Sequence, residues 1–154
     1  MTMLIPDPIH NLIHRRAGDR LRADVEEGVS LADSARHEAG HIVLIEHVGG
    51  RVLGRTHIAP DGSGATGQPW FPEDTTLACH IATSLAGVMA QGVHLDHWDG
   101  SDDKAYISEL LDEVSLEEGL AAMEEAYRIA RYGLKVNARR LTQLARRLEK
   151  TGRV

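Results

Sequence analysis

Apolar residues recur at helical spacing along most of this chain, and the interruptions mark where the helices stop. Ser30 followed by Asp33 is a capping signal, and Ala32 to His47 then runs without proline as a predicted helix of about 24 Å. Ile42, Val43, Leu44 and Ile45 make that helix apolar around most of its circumference, so it should be buried on nearly every side, and Gly49-Gly50 ends it. Arg51 to Ala59 has strand character, Pro60 to Gly64 is a turn cluster and Ala65 to Phe71 is a second short strand, which together predict one β-hairpin. From Thr75 to Val93, Leu77, Ile81, Leu85 and Val88 define a helix whose other face, Ala78, Ala82, Ala86, Gly87 and Ala90, permits close approach to the first helix. Ser101 is a candidate N-cap for a helix through Val114, and Ser115-Leu116-Glu117-Glu118 is a capping box opening another, with Leu116, Leu120 and Met123 on one face. A last series from Tyr127 to Leu148 keeps three- and four-residue spacing for six turns, with arginines opposite, and predicts a covering helix. Residues 1–29 read as an arm plus a short helix. The expected architecture is predominantly α, a helical domain over residues 30–154 with one small hairpin.

A length of 154 residues suits one domain, and 42% hydrophobic with only 4% aromatic residues means a core of Leu, Val, Ile and Ala. A single cysteine, Cys79, excludes an internal disulfide and fits a reducing cytoplasm. No apolar run is long enough to span a bilayer, and Met1 to His10 lacks the marks of a signal peptide. The net charge of −6 divides unevenly: residues 56–127 carry fourteen acids and one base, residues 128–154 nine bases and one acid. These read as two solvated faces, with an acidic partner for the arginines as the alternative. No recognition motif or aromatic platform accompanies the bases, so nucleic acid is not expected.

The chemistry concentrates in His37-Glu38-Ala39-Gly40-His41. Residues four apart share a helix face about 5–6 Å apart at Cβ, so both imidazoles can converge on one tetrahedral ion, with zinc the expected cofactor. Glu38, beside them, can take a proton from a zinc-bound water and deliver it to a leaving amine. His47 occupies the third-histidine position of a longer zinc signature, but Leu44 stands where that signature needs glycine. On a continuous helix His47 lies roughly 15 Å along the axis from His37 and cannot ligate. His10 and His14 repeat the spacing without a neighbouring acid, and Cys79 and His80 read as packing residues. The stretch from His94 to Asp103, with His94, His97, Asp102 and Asp103, concentrates candidates for a third ligand, and the first helical turn favours an ionised carboxylate. The hairpin edge after the first helix can pair with an extended peptide, with Gly64, Ala65, Thr66 and Gly67 as candidate substrate-binding residues.

The order of these pieces resembles the peptidase domain of the FtsH-type ATP-dependent zinc metalloproteases over roughly residues 30 to 150. His37 to His41 matches that family's HEAGH. Ile58-Ala59-Pro60 through Gly67 to Pro72-Glu73-Asp74 resembles its strand, turn, short strand and P-E-D segment. Leu85-Ala86-Gly87 with Ala90 resembles L-A-G-x-x-A, where the family's following A-E reads Ala90-Gln91, and Gly100-Ser101-Asp102-Asp103 resembles G-x-S-N-D. The resemblance implies His37, His41 and Asp103 as zinc ligands, Asp102 as the fallback, and Glu38 as the catalytic base of a metalloendopeptidase. No G-x-x-x-x-G-K-[ST] occurs. Without the family's ATPase motor, substrates should be peptides, unfolded segments or clients delivered by a separate partner, and the oligomeric state stays open. The alternative is a catalytically silent peptide-binding or regulatory module.

Overall fold

The computed structural model describes residues 30–92 and 101–154, and the helix carrying the two histidines, α1, runs Leu31–His47. Ser30 caps it by accepting a 3.1 Å hydrogen bond from the Asp33 N–H, and Gly49, at φ 88°, turns the chain out of it. Residues 1–29, with His10, His14 and the expected arm, lie outside the described residues, as do His94 and His97.

The single hairpin expected over residues 51–71 is instead two nested antiparallel pairs. The outer pair joins β1 (Arg51–Leu53) to β4 (Gln68–Trp70), and the inner pair joins β2 (His57–Ile58) to β3 (Gly64–Ala65). Gly54, at φ 82°, bends the first strand. Opposite it, the Gly67 N–H donates to the side-chain oxygen of buried Thr56 at 3.1 Å. A side-chain acceptor therefore interrupts the backbone ladder. The outer edge of β2 is covered by residues 152–154. Thr56 exchanges two 3.0 Å hydrogen bonds with Val154, and the Ile58 N–H donates to the Gly152 carbonyl at 2.9 Å. Among the described residues, β3 keeps an unpaired outer edge.

Helix α2 (Leu77–Gln91) starts at the Thr76 cap and stops at Gly92, whose φ is 69°. Helix α3 (Ser101–Asp112) includes Ser101 itself and ends two residues short of Val114, with Asp102 and Asp103 in its first turn. Helix α4 (Leu116–Val136) opens with the Ser115–Glu118 capping box, although Leu116 itself is left exposed. The six-turn covering helix does not form as one piece: α4 continues through Tyr127 to Val136, and α5 (Ala138–Thr151) follows. Asn137 makes the break, its amide donating to the Gly133 carbonyl at 2.8 Å while its backbone leaves the helical region.

The molecule is predominantly α, with α1 packed between α2 and α5, and α2 also against α4. Leu44, Ile81, Leu85, Ile107, Met123 and Leu148, one or more from each helix, meet in the core with essentially no exposed surface. Among the described residues no helix is long and apolar enough to cross a membrane. The tightest approach lies between α1 and α2, where a Cβ placed on Gly40 would sit 2.5 Å from the Ala86 carbonyl oxygen and 2.6 Å from the Ala90 Cβ. Gly40→Ala gains about 1 kcal/mol of helix propensity but must push the backbones of α1 and α2 apart, an overpacking cost of about 1–3 kcal/mol or more. A net loss of stability in urea denaturation is expected; a gain would show that the helices separate freely there.

Candidate metal centre

One turn of α1 separates His37 from His41, and their rings meet edge to face with centroids 4.7 Å apart. The two Nε2 atoms are 3.0 Å apart. From the first turn of α3, the Asp103 Oδ2 lies 3.2 Å from one and 3.3 Å from the other. Tetrahedral zinc with bonds near 2.0–2.1 Å holds its ligand atoms about 3.3 Å apart, so the triangle has the size of a zinc face.

The His41 Nδ1 faces the Thr83 carbonyl at 2.7 Å, and a carbonyl only accepts, so that nitrogen carries the hydrogen. The His37 Nδ1 faces the Gln91 side-chain oxygen at 2.8 Å in the same sense. In the neutral rings both Nε2 atoms therefore present lone pairs toward a carboxylate oxygen. Three acceptors crowded together call for a proton or a cation between them.

Burial works against a charge on His41, but the hydrogen bond and charge of Asp103, with Glu38, outweigh it and raise its pKa. Burial pushes Asp103 upward too, but His37 and His41 prevail and hold it well below the usual carboxylate range. A raised histidine stabilises the fold fully below its unfolded pKa of about 6.5, and that contribution is lost as pH rises through the folded value. A depressed aspartate stabilises above about 3.9, and its contribution is lost as pH falls through the folded value. Metal-free protein should thus be most stable in the mildly acidic window between them. Because zinc competes with the proton on His41, the rise in Tm on adding zinc should widen from pH 5 to pH 8, measured by thermal denaturation with and without chelator; a gap independent of pH would contradict this.

Helix α2 forms the back wall. A Cβ on Gly87 would lie 2.5 Å from the His41 Nε2 and 2.6 Å from the His37 Nε2. Thr83, Gly87 and Gln91, each four residues apart, thus form one stripe that orients both imidazoles and leaves room for them. Thr83 and Gln91 carry no site role in the sequence reading. Their signal was the four-residue spacing on either side of Gly87.

Glu38 is buried beside the triangle and accepts a 2.5 Å hydrogen bond from the Thr66 hydroxyl. Strand β3 passes close by, for a Cβ on Gly64 would come within 3.1 Å of the Glu38 Oε1. These groups share an open cleft of about 840 Å³, whose lining includes all four residues from Gly64 to Gly67. Asp102 also lines this cleft but is outside the triad that Asp103 forms with the histidines. Along β2, the Ala59 N–H donates to the Ser63 carbonyl while the Ile58 N–H turns to residue 152, so alternation directs the main-chain groups of Gly64 away from β2. His47 lies away from the triad, 3.3 Å from the Asn137 amide and with its ring near Tyr132. His80 packs edge to face on Phe71.

No family model matches this chain, and neither do any curated proteins or solved structures.

Proposed function

We propose that this chain is a zinc-dependent endopeptidase that hydrolyses peptide bonds in flexible or unfolded polypeptides. The observation that carries the reading is the convergence of three lone-pair donors beside a buried carboxylate, in a cleft bordered by an unpaired strand edge. His37, His41 and Asp103 would hold the ion, a donor set of two imidazoles and one carboxylate that suits zinc. Bound there, zinc supplies the Lewis acidity that makes water nucleophilic near neutral pH.

The chain's own residues divide the remaining work. Glu38 takes a proton from the attacking water and returns one to the amine as the C–N bond breaks. The Thr66 hydroxyl fixes one oxygen of that carboxylate and leaves the other available. The outward main-chain groups of β3 pair with an extended peptide, which admits only segments without their own fold. Clients are therefore flexible chains, or folded ones delivered by a separate ATPase. Sequence likeness to the FtsH-type peptidase domain points the same way, through the H-E-x-x-H and S-x-D segments.

The test is cleavage of a random peptide library by zinc-loaded protein. Cleavage should vanish with a chelator and return with zinc. No cleavage under either condition, with peptide affinity retained, would favour the silent binding module.

A further inference from the structure

Hydrolysis of an amide places negative charge on its carbonyl oxygen, and a pre-placed hydrogen-bond donor there is worth about 10²–10³ in rate. With the outward main-chain groups of β3 assigned to the peptide backbone, the described cleft is short of side-chain donors for this role. No lysine or arginine lines it, and five side-chain hydroxyls do. Three of these are committed within the protein. Ser63 donates to Asp61 at 2.6 Å, Thr66 to Glu38 at 2.5 Å and Thr83 to the His80 carbonyl at 2.8 Å. Both histidines direct their Nδ1 hydrogens into the wall. Ser84 and Tyr106 remain, and Ser84 is a short side chain buried in α2.

Tyr106 differs in place and in reach. It stands three residues after Asp103 on α3, so the two share a helix face with Cβ atoms about 5–6 Å apart. Its ring lines the same cleft as Glu38 yet keeps 40% of its surface exposed, which leaves it free to follow a bound peptide. From these placements we infer that the Tyr106 phenol donates the hydrogen bond that meets the developing charge on the scissile carbonyl oxygen. The inference rests on the peptidase reading. Tyr106 keeps its proton throughout: water adds to the carbonyl carbon, Glu38 carries the proton from water to nitrogen, and the C–N bond breaks. Burial, followed by the negative charge of Glu109, raises the phenol pKa, so the donor stays protonated at neutral pH.

The experiment compares wild type, Tyr106→Phe and Ser84→Ala, all zinc-loaded, on one flexible fluorogenic peptide. Each is also titrated with a phosphinic peptide that mimics the tetrahedral adduct. For Tyr106→Phe, kcat should fall by about 10²–10³-fold with KM within about twofold of wild type and zinc stoichiometry unchanged. Its inhibition constant for the phosphinic peptide should rise in parallel, which a merely structural role would not produce. Unchanged kcat, lost zinc in Tyr106→Phe, or the same loss appearing in Ser84→Ala instead would each overturn the assignment while wild type still cleaves. A wild type that cleaves nothing overturns the peptidase reading, and this inference falls with it.

Discussion

Glu38→Gln should lower peptide hydrolysis by about 10²–10⁴-fold while zinc content and Tm stay near those of wild type. The amide has the shape of the carboxylate and its oxygen can still accept the Thr66 hydrogen bond, so the packing around this buried side chain survives. What disappears is the proposed general base, the carboxylate that would take a proton from water. Steady-state rates on a flexible peptide, with zinc measured on the same samples, separate the outcomes. A variant that retains zinc and most of its rate would remove Glu38 from the mechanism. If wild type were equally inactive and both forms bound peptide alike, the chain would be a binding module.

Gly87→Ala should weaken zinc binding at the candidate metal centre without unfolding the protein. The new methyl would meet the tips of two imidazoles at 2.5 and 2.6 Å, whereas the corresponding change at Gly40 meets a backbone carbonyl and a helix-borne Cβ. Imidazole tips can swing aside without unfolding the chain, and the helix propensity that alanine returns, about 1 kcal/mol, offsets part of the cost. Metal ligation has no such latitude, since ligand distances must stay within about 0.2 Å of ideal. Both rings are also pinned at Nδ1, by Thr83 and Gln91, so swinging breaks those bonds as well. Zinc affinity should fall by at least the 10–100-fold typical of disturbed outer-shell partners, while the metal-free form stays folded with a modestly lowered Tm, because the bonds to Thr83 and Gln91 are lost. Full zinc occupancy in Gly87→Ala at limiting zinc would show that α2 does not hold the rings in place.

The helical spacing of this chain carried most of the fold, because burial of α1 on nearly all sides is written directly into Ile42 to Ile45. The hairpin was less legible. Its division depends on Thr56, whose side chain accepts a backbone hydrogen bond from eleven residues away, and on residues 152–154 covering β2. Neither is a local property. The break at Asn137 was likewise hidden, since apolar spacing continues across it and only the amide's bond to the Gly133 carbonyl reveals the stop. At the candidate site, the helix period places His37 beside His41, and the resemblance pointed to Asp103. The face of α2 turned toward them became visible only through packing. A row of alanines and glycines announces close approach, but not that Gly87 in particular faces the two Nε2 atoms.

The most direct measurement is zinc stoichiometry by mass spectrometry for wild type, Asp102→Ala and Asp103→Ala, purified alike and equilibrated with limiting zinc. Wild type and Asp102→Ala should each hold about one zinc per chain, and Asp103→Ala should hold far less, because among the described residues Asp103 is the one that joins both histidines. Equal occupancy in all three, or loss confined to Asp102→Ala, would contradict the site as described.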